Sequence, residues 1–296
     1  MSLAKWIFST GFALFSLSAL SCPKADCVRI GSWNIAWLGS EKREQLSDTA
    51  TINSMANLIA NEWSIDLISL EEINTSIDGD VRGEHYSTQQ WKELRTALQK
   101  KGYRTQVGNS GNAQRIVLAW RKPVEELQPA SDMEIPDSYR VDDYCRSSNL
   151  RKPLTGLFRA GQFDFWAVGL HLKSSYGGKI FCSNAVRSMQ AYYISKKIVE
   201  LEKKDKDILL IGDFNATSKH ESLQVLREKG FVVAALSTKG KHSNVIDHIM
   251  INPANTTEWK NNSAVLYKPE NREQFKKRYS DHTPVWSDFS TLRDDD

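Results

Sequence analysis

Cysteine is scarce, and no two of the four cysteines in these 296 residues form a Cys-x-x-Cys pair, so nothing supports a zinc ribbon or finger. Net charge is nearly absent: 39 basic against 36 acidic residues leave +3, too little to imply a polyanionic partner from charge alone. No apolar run reaches the roughly 20 residues that a membrane-spanning helix needs. The longest, Trp6 to Leu20, is interrupted by Ser, Thr and Gly. Internal repeats, low-complexity tracts and Gly/Ser linkers are missing as well, which argues against tethered domains and for one folding unit. What is present is an ordinary globular composition, 40% apolar and 25% charged, enough for a sizeable core.

The first 21 residues do not belong to that core. Lys5 supplies a positive start, Trp6 to Leu20 an apolar stretch, and Ala19-Leu20-Ser21 a small-residue cleavage site before Cys22. We read residues 1–21 as a secretory signal and residues 22–296 as a single domain with its core over about 27–291. The expected location is secreted or periplasmic. A lipid anchor on Cys22 is the lesser alternative, because Ala19 stands where that signal usually carries Leu. The cysteines, Cys22, Cys27, Cys145 and Cys182, all fall in the exported part, where disulfides form. Three pairings are open, and sequence proximity favours Cys22 with Cys27 and Cys145 with Cys182.

Along the chain, strand-like runs alternate with helical periodicity, an α/β rhythm. Strands are expected at 28–35, 65–72, 103–107, 115–120, 154–158, 163–172, 209–215, 245–251 and 283–289. Helices are expected at about 48–62, 88–102, 184–203 and 219–229. Residues 123–153 show no pattern and are expected to form a long surface excursion.

Six apolar segments adjoin chemistry: Trp33-Asn34, Glu71-Glu72, His171, Asp213 with Asn215, Asp247-His248, and Ser280-Asp281-His282. Each alone suits an ordinary turn. Together, dominated by Asn, Asp, Glu and His, they suggest one convergent site. The set Trp33-Asn34, Glu71-Glu72-Ile73, His171-Leu172-Lys173-Ser174, Gly212-Asp213-Phe214-Asn215-Ala216, Ile246-Asp247-His248 and Ser280-Asp281-His282-Thr283-Pro284-Val285 resembles the endonuclease/exonuclease/phosphatase superfamily, of which deoxyribonuclease I is the best-known member.

That resemblance implies a four-layered α/β/β/α sandwich of two mixed β-sheets flanked by helices, and hydrolysis of a phosphoester assisted by a divalent metal. By matching motifs, Glu72 is the principal metal carboxylate, supported by Asn34 and Asp281; oxygen ligands suit Mg²⁺ first, then Mn²⁺ or Ca²⁺. His282 is the catalytic histidine and Asp247 its orienting carboxylate. Asp213 and Asn215 position water and phosphoryl oxygens. His171 resembles the second histidine of the deoxyribonuclease I branch, but the glutamate that orients it there corresponds to Gln114, which cannot stabilise an imidazolium as a carboxylate would. Glu71 is a second departure, standing where the family often has Gln. Arg115, Lys173 and Arg187 are candidate phosphate contacts, and Tyr176 a candidate stacking group. His85, His220 and His242 are read as structural, while His248 is left open.

The leading expectation is therefore an exported, metal-dependent, monomeric nuclease acting on DNA, with RNA as a further substrate and no stable membrane insertion. The alternatives are a phospholipid phosphodiesterase of sphingomyelinase type and a toxin-like module acting with a partner.

Overall fold

Strands place alternate side chains on opposite faces, and here most strands are buried on both, which explains their near-continuous apolar runs. A computed structural model describes residues 26–39, 48–75, 88–175, 179–234, 245–260, 265–266 and 269–296. The elements run β1 (Cys27–Leu38), α1 (Thr49–Asn57) extended by a π-helical turn Leu58–Glu62, β2 (Leu67–Asn74), α2 (Gln89–Gln99), β3 (Arg104–Val107), β4 (Gln114–Trp120) and β5 (Val124–Asp132). A small hairpin of β6 (Tyr139–Arg140) and β7 (Arg146–Ser147) leads to β8 (Leu154–Ala160), β9 (Phe163–His171), α3 (Ile180–Leu201) and β10 (Ile208–Asp213). Then come a 3₁₀ turn at Glu221–Leu223, α4 (Gln224–Glu228), β11 (Val232–Val233), β12 (Asp247–Ile251), β13 (Val265–Leu266), α5 (Arg272–Arg278) and β14 (Val285–Ser290).

Two six-stranded sheets form, ordered β13-β14-β1-β2-β4-β3 and β11-β12-β10-β9-β8-β5. Each is mixed: β1 pairs parallel with β2, and β9 with β10, while the other pairings are antiparallel. Their inner faces share one core containing Val28, Ile30, Leu67, Leu118, Phe158, Phe163, Phe165, Leu209, Ile211 and Phe289. The outer face of the first sheet packs Trp33, Ile68 and Leu70 against Ile52 and Met55 of α1, Trp91 and Leu94 of α2 and Phe275 of α5. The outer face of the second packs Val168, Leu170 and Leu210 against Ala191, Ile194 and Ile198 of α3 and Leu226 of α4. This is the expected four-layered arrangement.

Helix starts follow local chemistry. Asp48 caps α1 by accepting from Thr51 N at 2.7 Å, and Thr88 caps α2 through Trp91 N. Among the described residues no helix is long and apolar enough to cross a membrane.

The reading of residues 123–153 as an excursion is corrected: Val124–Asp132 is the edge strand of the second sheet, paired antiparallel with β8. Pro129, which lacks an N–H, sits within its register shifts at Gln128 and Ser131, where an edge strand tolerates it. Polar residues stand on both faces of the strand, Glu125 and Ser131 outward and Glu126, Gln128 and Asp132 on the other side, with Leu127 exposed, so no apolar alternation marked it among Asp, Glu and Pro. The strand β1 also runs further than expected, to Leu38. Three short elements had no sequence signal that was read: α5, β11 and β13.

Cys145 and Cys182 are disulfide-bonded, joining the β6–β7 hairpin to the first turn of α3. Cys27 is also disulfide-bonded; its expected partner Cys22 lies outside the described residues, as do residues 1–21.

Gly212 shows how tightly the second sheet closes. It adopts φ +152°, and a Cβ built there would lie 1.9 Å from the Leu170 carbonyl oxygen. Gly212→Ala is expected to destabilise the fold by about 3 kcal/mol, read as a lowered midpoint in urea denaturation.

Candidate functional site

The inner faces of the strands change character along their length. In β1 they run Val28, Ile30, Ser32, Asn34; in β2 Leu67, Ser69, Glu71; in β9 Phe165, Ala167, Gly169, His171; in β10 Leu209, Ile211, Asp213. The antiparallel β12 enters at the same end, so its inner residues run Asp247, Ile249, Ile251. Strand pairing aligns these polar ends: Asn34 lies opposite Glu71, and Asp213 opposite both His171 and Asp247. The space between the sheets is therefore apolar at one end and a polar cleft at the other.

One local device puts two successive residues into that cleft. The register of β2 shifts around Glu71 and Glu72, and Glu72 takes φ +62°. A bulge of this kind breaks strict alternation. Glu71 points between the sheets, fully buried, accepting from Ser69 Oγ at 2.5 Å and Ser32 Oγ at 3.2 Å. Glu72 turns toward the mouth, where its Oε1 accepts from Asn34 Nδ2 at 3.2 Å. The same amide nitrogen donates to Asp213 Oδ2 at 3.0 Å, while Asn34 Oδ1 accepts from Ala36 N at 2.8 Å. Asn34 thus spaces the two carboxylates. Burial pushes the Glu71 carboxyl well above the usual range, helped by the charges of Asp247 and Asp213 and opposed by the two serines, so its protonated form is favoured.

Asp213 is held from two sides. Besides Asn34, its Oδ1 accepts from Asn215 N at 2.8 Å, and Asn215, at φ +49°, donates through Nδ2 to the Leu172 carbonyl at 3.1 Å. Burial and the neighbouring Asp247 push Asp213 up to about 7, against the opposing effect of His282.

His282 approaches from the loop before β14. Its Nδ1 lies 2.9 Å from Asp247 Oδ2 and 3.1 Å from Oδ1. Asp213, Asp247 and His282 each offer an atom within 4.8 Å of the other two. The loop is pinned to the first sheet: Ser280 Oγ donates to the Asn34 carbonyl at 2.6 Å and accepts from His282 N at 3.0 Å, and Trp33 Nε1 donates to the His282 carbonyl at 3.1 Å. Burial alone would lower the imidazole, but the Asp247 carboxylate outweighs it and raises His282 to about 10.

His171 faces the same cleft. Its Nε2 lies 3.6 Å from Asp213 Oδ2 and 3.8 Å from Glu72 Oε1. Burial, and then the charges of Arg151 and His282, push it well below the ordinary histidine range, so the two histidines are driven in opposite directions. Gln114 does not orient His171: its Oε1 accepts from Arg151 Nη1 at 2.7 Å, and His171 Nδ1 has no hydrogen-bond partner. Arg151 also donates from Nε to the His171 carbonyl at 3.3 Å and is drawn electrostatically to Glu72 and Asp213.

The chain carries the pattern of the endonuclease/exonuclease/phosphatase family over residues 31–282. It belongs to that family. No curated protein matches its sequence. Solved structures share the fold at low identity. An endonuclease/exonuclease/phosphatase family protein from Bacteroides thetaiotaomicron is 17% identical, with 89% of this chain and 95% of that one covered at a TM-score of 0.60. The human Nocturnin catalytic domain with a bound sulfate anion is 14% identical, with 89% and 94% covered at 0.60. A mannosyl-6-phosphatase from Bacteroides thetaiotaomicron is 17% identical, with 88% and 98% covered at 0.54.

As a family member the chain is a hydrolase of phosphoester bonds, and its site gathers most of the residues expected from sequence: Asn34, Glu72, His171, Asp213, Asn215, Asp247 and His282. Asp281 is exposed beside His282 and adds to the field that raises it. Arg115 is a correction: it is buried and donates to the main-chain carbonyls of Thr75 and Asn109, holding loops rather than facing the cleft. Lys173 is half-buried, with Nζ donating to the Ser174 carbonyl, and its ammonium is depressed by burial and by Arg151 and Arg187. Arg187 holds the Lys173 carbonyl, Ser175 and Asn184. His248 is structural, on the opposite face of β12 from Asp247, with Nε2 3.0 Å from the Ala216 carbonyl oxygen. His220 caps the 3₁₀ turn through Ser222 N, while His85, His242 and Tyr176 lie outside the described residues.

The residue that sequence reading missed is Arg151. It stands in the segment read as irregular, and its only signal was the basic pair Arg151-Lys152 before Pro153 and the strand β8.

A raised histidine contributes stability that is fully present below its unfolded value, about 6.5, and lost as pH climbs through its folded value. The His282 contribution should therefore fade between about pH 6.5 and about 10. Titration of the His282 ring by NMR should show it protonated at pH 8, and Asp247→Asn should return its midpoint toward 6.5; an unchanged midpoint in that variant would refute the pairing.

Proposed function

We propose that this chain is an exported, metal-dependent nuclease that hydrolyses phosphodiester bonds of DNA, with RNA as a further substrate. The observation that carries the reading is the pair of oppositely tuned histidines on either side of Asp213. His282 is paired with Asp247, which favours its charged form, whereas His171 is unpaired at Nδ1 among the described residues and buried, which favours its neutral form. Hydrolysis of a phosphodiester needs charge neutralisation, an oriented water and a proton for the leaving oxygen. Asp213 and Asn215 orient the water, His282 on Asp247 stabilises the phosphoryl oxygens and exchanges a proton, and His171 assists at the leaving group. Lys173 and Arg151, on the His171 side, attract the phosphate.

The carboxylate and amide oxygens at the mouth fit a hard divalent cation, Mg²⁺ before Mn²⁺ or Ca²⁺. Glu72 would be its principal ligand, with Asp281 and with Asn34, whose amide presents Nδ2 to Glu72 here and would have to turn over to offer Oδ1. Such an ion would supply charge neutralisation on the phosphate. Export is supported by the pattern of residues 1–21 and by the Cys145–Cys182 disulfide, a bond of oxidising compartments. The expected form is a monomer with nucleic acid as its partner.

A second reading, a phospholipid phosphodiesterase, is favoured by one feature. Tyr144, Ile180 and Phe181, which adjoin the disulfide, are 86%, 68% and 71% exposed, an apolar cluster suited to lipid.

Purified protein is expected to nick supercoiled plasmid in Mg²⁺ or Mn²⁺ and to lose that activity in chelator. Release of phosphocholine from sphingomyelin with no cleavage of any nucleic acid would favour the second reading instead. His282→Ala should lower kcat about 10³-fold without unfolding the protein. The loss in His171→Ala should be smaller, because no carboxylate among the described residues orients that ring through Nδ1; equal losses in a single-turnover assay would refute the division of roles.

A further inference from the structure

The opposite end of β10 holds a second concentration of acids. Asp207 immediately precedes the strand that ends in Asp213, about 20 Å away at strand rise. The C-terminal residues fold back over this end: Gln162 N donates to the Thr291 carbonyl at 2.9 Å, Asp164 N to Asp294 Oδ2 at 3.3 Å, and Lys206 N to Asp296 Oδ2 at 2.7 Å. Two sets of carboxylates result, Asp205 with Asp207 and Asp296, and Asp207 with Asp294 and Asp295. In each set the oxygens lie within 4.8 Å of one another, and Asp207 belongs to both.

Asp207 is the second, independent sign. Its side chain is completely buried, and neither carboxylate oxygen has a hydrogen-bond partner among the described residues. The Thr256 hydroxyl lies close enough to ease its charge but not in hydrogen-bonding geometry. A buried carboxylate without donors is expensive to keep. Asp205, Asp296 and Glu258 add their negative charges around Asp207. The cations within reach are already engaged: Arg159 with Asp164 at 2.7 Å, Arg293 with Glu258 at 3.6 Å and Lys206 with Asp296 at 3.9 Å.

We propose that Asp205, Asp207 and the C-terminal Asp294, Asp295 and Asp296 bind a structural Ca²⁺, with Asp207 as the shared central ligand. Ligand oxygens around Ca²⁺ sit at about 2.3–2.6 Å in flexible geometry, so opposite ones are separated by about 5 Å, and oxygens within 4.8 Å of one another can line such an ion. Mg²⁺ demands a tighter octahedron and retains its waters, so it is the poorer fit. The ion would clamp the C-terminal residues to the start of β10, a role independent of hydrolysis at the far end.

Calorimetric titration and thermal melting of the chelator-stripped full chain with Ca²⁺ test this. At about a hundredfold excess over Kd the melting temperature should rise by roughly 5–10 °C. Glu72→Gln should keep the rise. Asp207→Asn should lose it, and so should the exposed-tail variant Asp294→Asn/Asp295→Asn/Asp296→Asn, which decides the matter if Asp207→Asn does not fold. The absence of heat and of a shift in the wild type would overturn the site. So would full Ca²⁺ affinity in the tail variant, or loss of the shift in Glu72→Gln.

Discussion

Burial of like charges in one cleft is the constraint on which the rest of this structure depends. Glu71 and Asp213 are both buried between the sheets, each feeling the negative charge of Asp247. Concentrating acids in a dry space is unfavourable unless protons, cations or donors compensate. Each compensation is visible in a particular residue. Glu71 lies between two serine hydroxyls in a setting that favours its proton. Asp213 takes the Asn34 amide and the Asn215 N–H. Asp247 takes the His282 imidazolium.

The same field divides the two histidines. His282 gains a carboxylate at 2.9 Å and stays charged, whereas His171 meets carboxylates only at 3.6 and 3.8 Å and lies under the influence of Arg151. Two identical side chains in one cleft thus acquire opposite protonation preferences, the arrangement that acid and base steps in one reaction require. Holding it costs backbone strain, which collects where function sits. Ala36, Trp37, Glu72 and Asn215 all have positive φ, and all four belong to or adjoin the strand ends that form the cleft. The rigid support comes from the aromatic packing of Trp33 against Trp63, Phe275 and Tyr279, through which Trp33 also grips the His282 loop.

The amino-acid pattern alone was enough for the α/β rhythm and for the membership of the cleft, while the four layers followed from the family resemblance that its motifs carry. An apolar run such as Leu209-Leu210-Ile211 dictates a buried strand whatever surrounds it, and the polar residues that end it must emerge where the strand does. That is why Asn34, Glu72, His171, Asp213, Asp247 and His282 were legible together. Edge strand β5 was not, because polar residues occupy both its faces and Pro129 interrupts its ladder, both consequences of lying at a sheet margin that sequence does not mark.

Direction and partnership were decided only by tertiary structure. Glu71 and Glu72 are chemically identical neighbours, and a single positive φ sends one into the core and the other to the mouth. Arg115 within β4 and Arg151 just before β8 carry the same side chain, yet one is spent on loop carbonyls and the other on Gln114 and the His171 carbonyl. Whether His171 or His282 carries the proton depends on which carboxylate stands within 3 Å, a distance set by pairing strands far apart in the chain. Local sequence determines which groups a strand delivers, because side-chain alternation is a local property. Their charge states are determined by what the opposing sheet brings against them, because electrostatic energy depends on distance through space rather than along the chain.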